Sequence, residues 1–202
     1  MHISEGVLSA PVLISTGAAG AALTVFGFYK MKTEMLAKTA LMSSLFFVGS
    51  FIHIPVGPTS VHLVLNGLVG AVLGVCAFPA IMVALVLQAL MFQFGGFTTL
   101  GTNILVMALP ALAGYYLFRL GMKTAGKKRW ALFFLTGGVP VLLSAVLLSA
   151  VLALSGSRLY DTAKAIFLMH IPVIIIEGIV SMYLFNFLNK VYPDFLRTEY
   201  EN

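Results

Sequence analysis

The chain has 202 residues, 60% of them hydrophobic and only 9% charged, with a mean hydropathy of +1.02. Soluble domains carry about 25% charged residues, so this composition excludes an ordinary soluble enzyme and reads as one all-α integral membrane domain, a polytopic helical bundle. The net charge is +5 and the lone cysteine is Cys76, which excludes an internal disulfide and any cysteine-based metal cluster.

The chain opens Met1-His2-Ile3-Ser4-Glu5-Gly6. In a free Met-His terminus the α-amine, the His2 amide nitrogen and the His2 Nδ1 can close adjoining five- and six-membered chelate rings on one cation. Three coplanar nitrogens leave a fourth corner for a second imidazole. Square-planar nitrogen coordination points to Ni(II) or Cu(II), with Co(II) also admitted. The stretch does not read as a cleaved signal peptide, because no basic region precedes the first apolar run and Glu5 lies where a cation is expected. Histidine is also large for the residue after an initiator methionine, so Met1 is expected to be retained. A bare Met-His is otherwise a common accident, and the rest of the chain must support it.

Gly, Pro and charge punctuation divide the remainder into seven expected spans. They cover about 8–29, 39–54, 61–77, 79–94, 100–119, 131–154 and 165–188, each near the ~20 residues that cross a bilayer. A loop of about seven residues precedes them and a tail over 189–202 follows, all within a single domain 1–202. Basic links run from Lys30 to Lys38 and from Arg119 to Arg129, whereas Pro55 to Ser60 carries no charge. With the N-terminus outside, Lys30, Lys32, Lys38, Arg119, Lys123, Lys127, Lys128, Arg129, Lys190 and Arg197 lie inside, and only Arg158 and Lys164 lie outside. That asymmetry predicts an N-out, C-in topology.

The same topology puts all four histidines toward the outer face. His62, at the start of the third expected span, is the best candidate for the fourth corner of the chelate. His53 comes next, though it must point inward from the end of its span. His170 and Glu177 are seven residues apart and share a helix face. His53 and His170 also read as interfacial side chains that simply meet water. Glu177 is the one acid inside a span, and an intramembrane carboxylate is a functional candidate by default. Its plainer reading is a hydrogen-bonded group that fixes helix packing.

The amides Asn66, Gln88, Gln93 and Asn103, together with Thr102, are the kind of groups that bond between helices in lipid. Gly95-Gly96 with Asn103 has a second reading, as the shape of an outer cavity holding the N-terminal loop. Gly67, Gly70 and Gly74 form a small-residue stripe for close packing or for a membrane partner. Gly121-Met122-Lys123-Thr124-Ala125-Gly126-Lys127-Lys128 imitates a phosphate-binding loop. Lys128 replaces its essential Ser or Thr, and no strand precedes it. The chain therefore carries no ATP-binding element in these residues.

Taken with Gly57-Pro58-Thr59-Ser60-Val61-His62 and Gly96-Phe97-Thr98-Thr99-Leu100-Gly101-Thr102-Asn103, the opening Met1-His2-Ile3-Ser4-Glu5-Gly6 resembles the CbiM/NikM family. These are substrate-capture components of energy-coupling factor transporters for cobalt and nickel, and the resemblance covers nearly the whole chain. It implies that Met1, His2 and His62 bind Co(II) or Ni(II) as transported substrate; His53, Asn103, His170 and Glu177 are candidate supports read from the residues alone. It further implies a cell-membrane location and four kinds of neighbour: a membrane coupling component, two ATPase subunits, a small accessory membrane subunit and the lipid bilayer, with no nucleic acid. Pro58 and Val61 replace two glycines of the Gly-Gly-Thr-Ser-Gly-His link frequent in nickel-type members, so the metal stays open. The C-terminal extension of some members is not expected here.

Two other classes compete. One is a capture component for a small organic solute, using Glu177 and the span amides. The other is a membrane metalloenzyme, which lacks His-Glu-x-x-His or a comparable constellation. A purely structural subunit leaves the outward histidine bias unexplained.

Overall fold

The computed structural model describes residues 2–56 and 59–196. Met1, Gly57, Pro58 and Arg197, which the sequence reading used, lie outside the described residues. The fold is a helical bundle with one short hairpin. Its elements are α1 (Ala10–Lys30), α2 (Leu36–Gly49), β1 (His53–Val56), β2 (Thr59–His62), α3 (Asn66–Leu73), α4 (Ala77–Phe92), α5 (Leu100–Met122), α6 (Gly126–Ser155), α7 (Tyr160–Val191) and α8 (Pro193–Leu196).

Five stretches are long and apolar enough to cross a membrane: Ala10–Lys30, Asn66–Phe92, Leu100–Met122, Gly126–Ser155 and Ser157–Val191. In hydrocarbon an unpaired main-chain group costs several kcal/mol, so long helices that satisfy their own backbones are the stable solution. Helix α2 has 14 residues, about 21 Å at 1.5 Å per residue, and falls short of the usual span.

The expected second and third spans need correction. The second ends at Gly49 rather than near residue 54, and the chain then enters the hairpin. The third is not a helix over 61–77. Residues 59–62 form β2, residues 63–65 run without regular structure, and helix starts only at Asn66. In the antiparallel hairpin His53 pairs with His62, Ile54 with Val61, Pro55 with Ser60 and Val56 with Thr59. Pro55 is tolerated because a two-stranded ribbon leaves one side of each strand unpaired.

The reason lies in α3 itself. All eight of its residues are buried, so its hydrophobicity carries no face and no period that would mark its ends. Leu65 precedes it in the left-handed region (φ 55°), and Gly74 breaks the helix immediately after it (φ 53°). Helices α5 and α6 press closest on this short central helix. A Cβ at Gly70 would overlap the Ala111 main chain of α5, and one at Gly67 would overlap Thr136 of α6. Gly20 of α1 packs in the same way against Gly101 of α5. Small residues thus bring backbones together where lipid offers no hydrophobic drive between helices.

Polar side chains are paired across this packing. The Asn66 amide donates to the Met107 carbonyl (2.9 Å) and to Ser144 Oγ (2.8 Å), tying α3 to α5 and α6. Thr16 of α1 and Thr102 of α5 share a hydrogen bond of 2.7 Å. One end of the bundle is closed by Phe118, Phe133 and Phe185, with ring centroids 4.7–5.6 Å apart. At the opposite end the N-terminal segment, the end of α4, the start of α5 and strand β2 converge.

Candidate metal centre

The N-terminal segment is folded into this end of the bundle. Ile3 is buried and belongs to the core. Its N–H donates to Asn103 Oδ1 (2.9 Å), and its carbonyl accepts from Asn103 Nδ2 (3.1 Å) and Thr99 Oγ1 (2.8 Å). One asparagine thereby holds both main-chain groups of the residue after His2. Two residues on, Glu5 Oε1 accepts the Thr98 N–H at 3.2 Å, and Gly6 turns the chain toward α1 with φ 75°.

Gly95 and Gly96 make room for this insertion. A Cβ at Gly96 would overlap the Glu5 side chain, and one at Gly95 would lie 2.9 Å from Asn103 Nδ2 and 3.7 Å from the His2 Cβ. The linker after α4 is therefore moulded to the loop, with Gly95 itself in the left-handed region at φ 78°.

The His2 ring points inward. Its Nε2 lies 2.7 Å from Gln88 Oε1 on α4, and its centroid lies 5.8 Å from that of Phe94 and 5.2 Å from that of His62, tilted 32° to the latter. With a carbonyl-type oxygen on Nε2, that nitrogen must carry the proton, and the lone pair of the neutral ring falls on Nδ1. His62 shows the opposite polarity. It is buried, and its Nδ1 donates to the Leu63 carbonyl at 2.9 Å, so the neutral ring carries its lone pair on Nε2.

Burial holds the His2 imidazole pKa down at about 3 from an ordinary 6.5, against a smaller opposing effect of the Gln88 hydrogen bond. A depressed folded-state pKa stabilises the docked loop above pH 6.5, and that stability is lost progressively as pH falls toward 3. Between pH 6.5 and 5.5 the docking equilibrium of the metal-free protein should weaken by roughly fivefold, because the undocked imidazole is already half protonated at pH 6.5 while the docked one stays neutral. Hydrogen exchange at the Ile3 amide, corrected for the intrinsic pH dependence, measures this. Protection that stays flat over that range counts against a neutral, buried His2.

Among the described residues, no three His, Cys, Asp or Glu side chains converge as a metal cluster. Of the other sequence candidates, His53 stands opposite His62 in the hairpin register. Asn103 is the Ile3 clamp. His170 is buried on α7, where Nδ1 donates to the Ile166 carbonyl (2.7 Å) and Nε2 has no partner among the described residues. Glu177, two turns further along α7, accepts from the Val64 and Leu65 amides. Met1 lies outside the described residues. Gln88, Thr99 and Phe94 touch the loop without having been singled out for it. Gln88 carried a signal, an amide in an otherwise apolar span, but no local pattern pairs it with His2.

A family model described as CbiM, cobalt uptake substrate-specific transmembrane region, matches residues 2–195. The chain belongs to the CbiM family. The match begins at His2, so the inserted loop is part of the CbiM region. A Haemophilus influenzae relative named as a metal transport protein is 42% identical over 203 residues, covering 98% of each chain. The cobalt transport protein CbiM of a Nostoc species is 30% identical over 214 residues, covering 98% of this chain and 82% of its own length. A fused nickel transport protein NikMN of Archaeoglobus fulgidus is 26% identical, covering 96% of this chain and 67% of its own. Among solved structures, a truncated transition metal transporter superposes with a TM-score of 0.79 at 23% identity, over 95% of this chain and 99% of that one. This last likeness concerns the fold alone.

Proposed function

We propose that this chain is the substrate-specific membrane subunit of an energy-coupling factor transporter and that it captures Co(II) or Ni(II) for import. The observation that carries the reading is the orientation of His2. Gln88 occupies Nε2, which turns Nδ1 into the donor, and Nδ1 is the ring atom that closes a six-membered chelate with the residue's own amide nitrogen. The Met1 α-amine extends that chelate by a five-membered ring. The His62 Nε2, on a ring 5.2 Å away, supplies the fourth nitrogen. Metal then replaces protons on the amine and the amide, so affinity rises with pH.

Four nitrogens in a plane suit Ni(II) well and admit Co(II). Relatives named for each metal support the class and leave the choice to affinity. The capture face is external in an N-out, C-in topology with seven crossings. The five long apolar stretches supply six of these, with Asn66–Phe92 taken as two passes, α3 and α4, broken at Gly74. The seventh crossing is α2. In this reading 1–202 is one domain, and the membrane coupling component, two ATPase subunits and an accessory membrane subunit supply energy and release. The chain itself is a transport subunit, not an enzyme.

Titration of the purified protein, with Met1 retention checked by mass spectrometry, should give one Ni(II) or Co(II) per chain. Saturation with Ni(II) should produce the single yellow d–d band of a four-nitrogen square-planar complex. An octahedral spectrum, or no binding of either metal, overturns the reading.

A further inference from the structure

The Glu177 carboxyl is the least expected polar group in the bundle, at 1% exposure in the middle of α7. Both of its oxygens accept the Leu65 N–H, each at 2.9 Å, and Oε1 also accepts the Val64 N–H. These two residues form the irregular link between β2 and α3. Leu65 occupies the helix-capping position, where no side chain of its own caps the first turn, and it does so in the left-handed region. A non-glycine residue persists in that conformation only when its surroundings hold it. Glu177 is what holds it.

The acid is itself fixed. A Cβ on Gly137 of α6 would overlap the Glu177 carbonyl, so α6 and α7 are in main-chain contact at this level. His62 stands two residues before Val64, and its Nδ1 donates to the carbonyl of Leu63, between the two. The path of residues 62–65 therefore sets where the His62 ring lies and which nitrogen it presents. Its anchors are hairpin pairing at one end and Glu177 at the other.

We propose that Glu177 is a positioning residue for metal capture: it grips the Val64 and Leu65 amides and so holds His62 as the fourth ligand. The inference rests on the metal-capture reading above. Glu177→Gln leaves one accepting oxygen where there were two and points an NH2 at main-chain N–H donors. Outer supports of metal ligands are worth about 10–100-fold in affinity, so Ni(II) should bind about tenfold more weakly.

The deciding measurement is a double-mutant cycle with His62→Ala, in which the three nitrogens of Met1 and His2 should still bind Ni(II) at higher concentration. If Glu177 acts through His62, Glu177→Gln costs about tenfold in the wild-type background and less than about twofold in the His62→Ala background. Equal cost in both backgrounds, or none in the wild type, overturns the proposal and leaves the capture reading intact. Absence of Ni(II) binding by the wild type overturns both. Glu177→Asp keeps two accepting oxygens and serves the same cycle where the Gln variant does not fold. Hydrogen exchange on the wild type gives a reading independent of any variant. The Val64 and Leu65 amides should be among the most protected outside regular structure, and rapid exchange there overturns the clamp.

Discussion

Acetylation of the Met1 α-amine should weaken Ni(II) and Co(II) binding by roughly a thousandfold, equivalent to about 4 kcal/mol. The change is small in mass and leaves every span untouched. It converts the α-amine, a basic donor, into an amide nitrogen whose proton is far harder to remove, and it adds no free amine that could build a new chelate. It also forces an acetyl group into a segment where Ile3 is held on both sides by Asn103 and where Gly96 already lies against Glu5. Isothermal titration of the free and acetylated proteins, with both termini verified by mass spectrometry, gives the comparison. Equal affinities would sink the chelate and move capture to side chains alone. An acetylated protein that binds tightly with the square-planar Ni(II) band intact would do the same.

The inserted N-terminal loop was legible because its signal is local: the proposed chelate needs only two consecutive residues, and the structure packs His2 against His62. The charge asymmetry of the loops predicts an external location for it. The fold was less legible where hydrophobicity saturates. Residues 61–77 are apolar almost throughout, so a continuous span was the natural reading. The break into β2, an irregular link and α3 depends on tertiary contacts: the His53–His62 pairing and the Glu177 grip on Leu65. Neither leaves a periodic trace. The Gly95-Gly96 reading, as part of a cavity for the loop, had a steric basis that short motifs usually lack. Gln88 shows the opposite limit. Its residue type marked it as an interior amide, but the tautomer it imposes on His2 appears only when α4 and the N-terminus are seen side by side.

His62→Ala should weaken Ni(II) binding by about a hundredfold or more, since losing a direct ligand should cost at least as much as losing an outer support, and should change the spectrum as well. Three nitrogens from Met1 and His2 remain, so binding persists at higher concentration. Water replaces the imidazole as the fourth donor. Water is a weaker-field ligand, so the d–d band should move to longer wavelength even at saturation. The two other outer histidines provide the contrast. His53 lies across the hairpin from His62, and His170 is turned toward the Ile166 carbonyl. Alanine at either should leave the saturated spectrum unchanged, whatever it does to affinity through packing. A wavelength shift is thus the signature of a lost ligand, and affinity alone is not. If His62→Ala binds tightly with the wild-type band while His53→Ala or His170→Ala shifts it, the fourth corner belongs to that residue and the β2 geometry has another purpose.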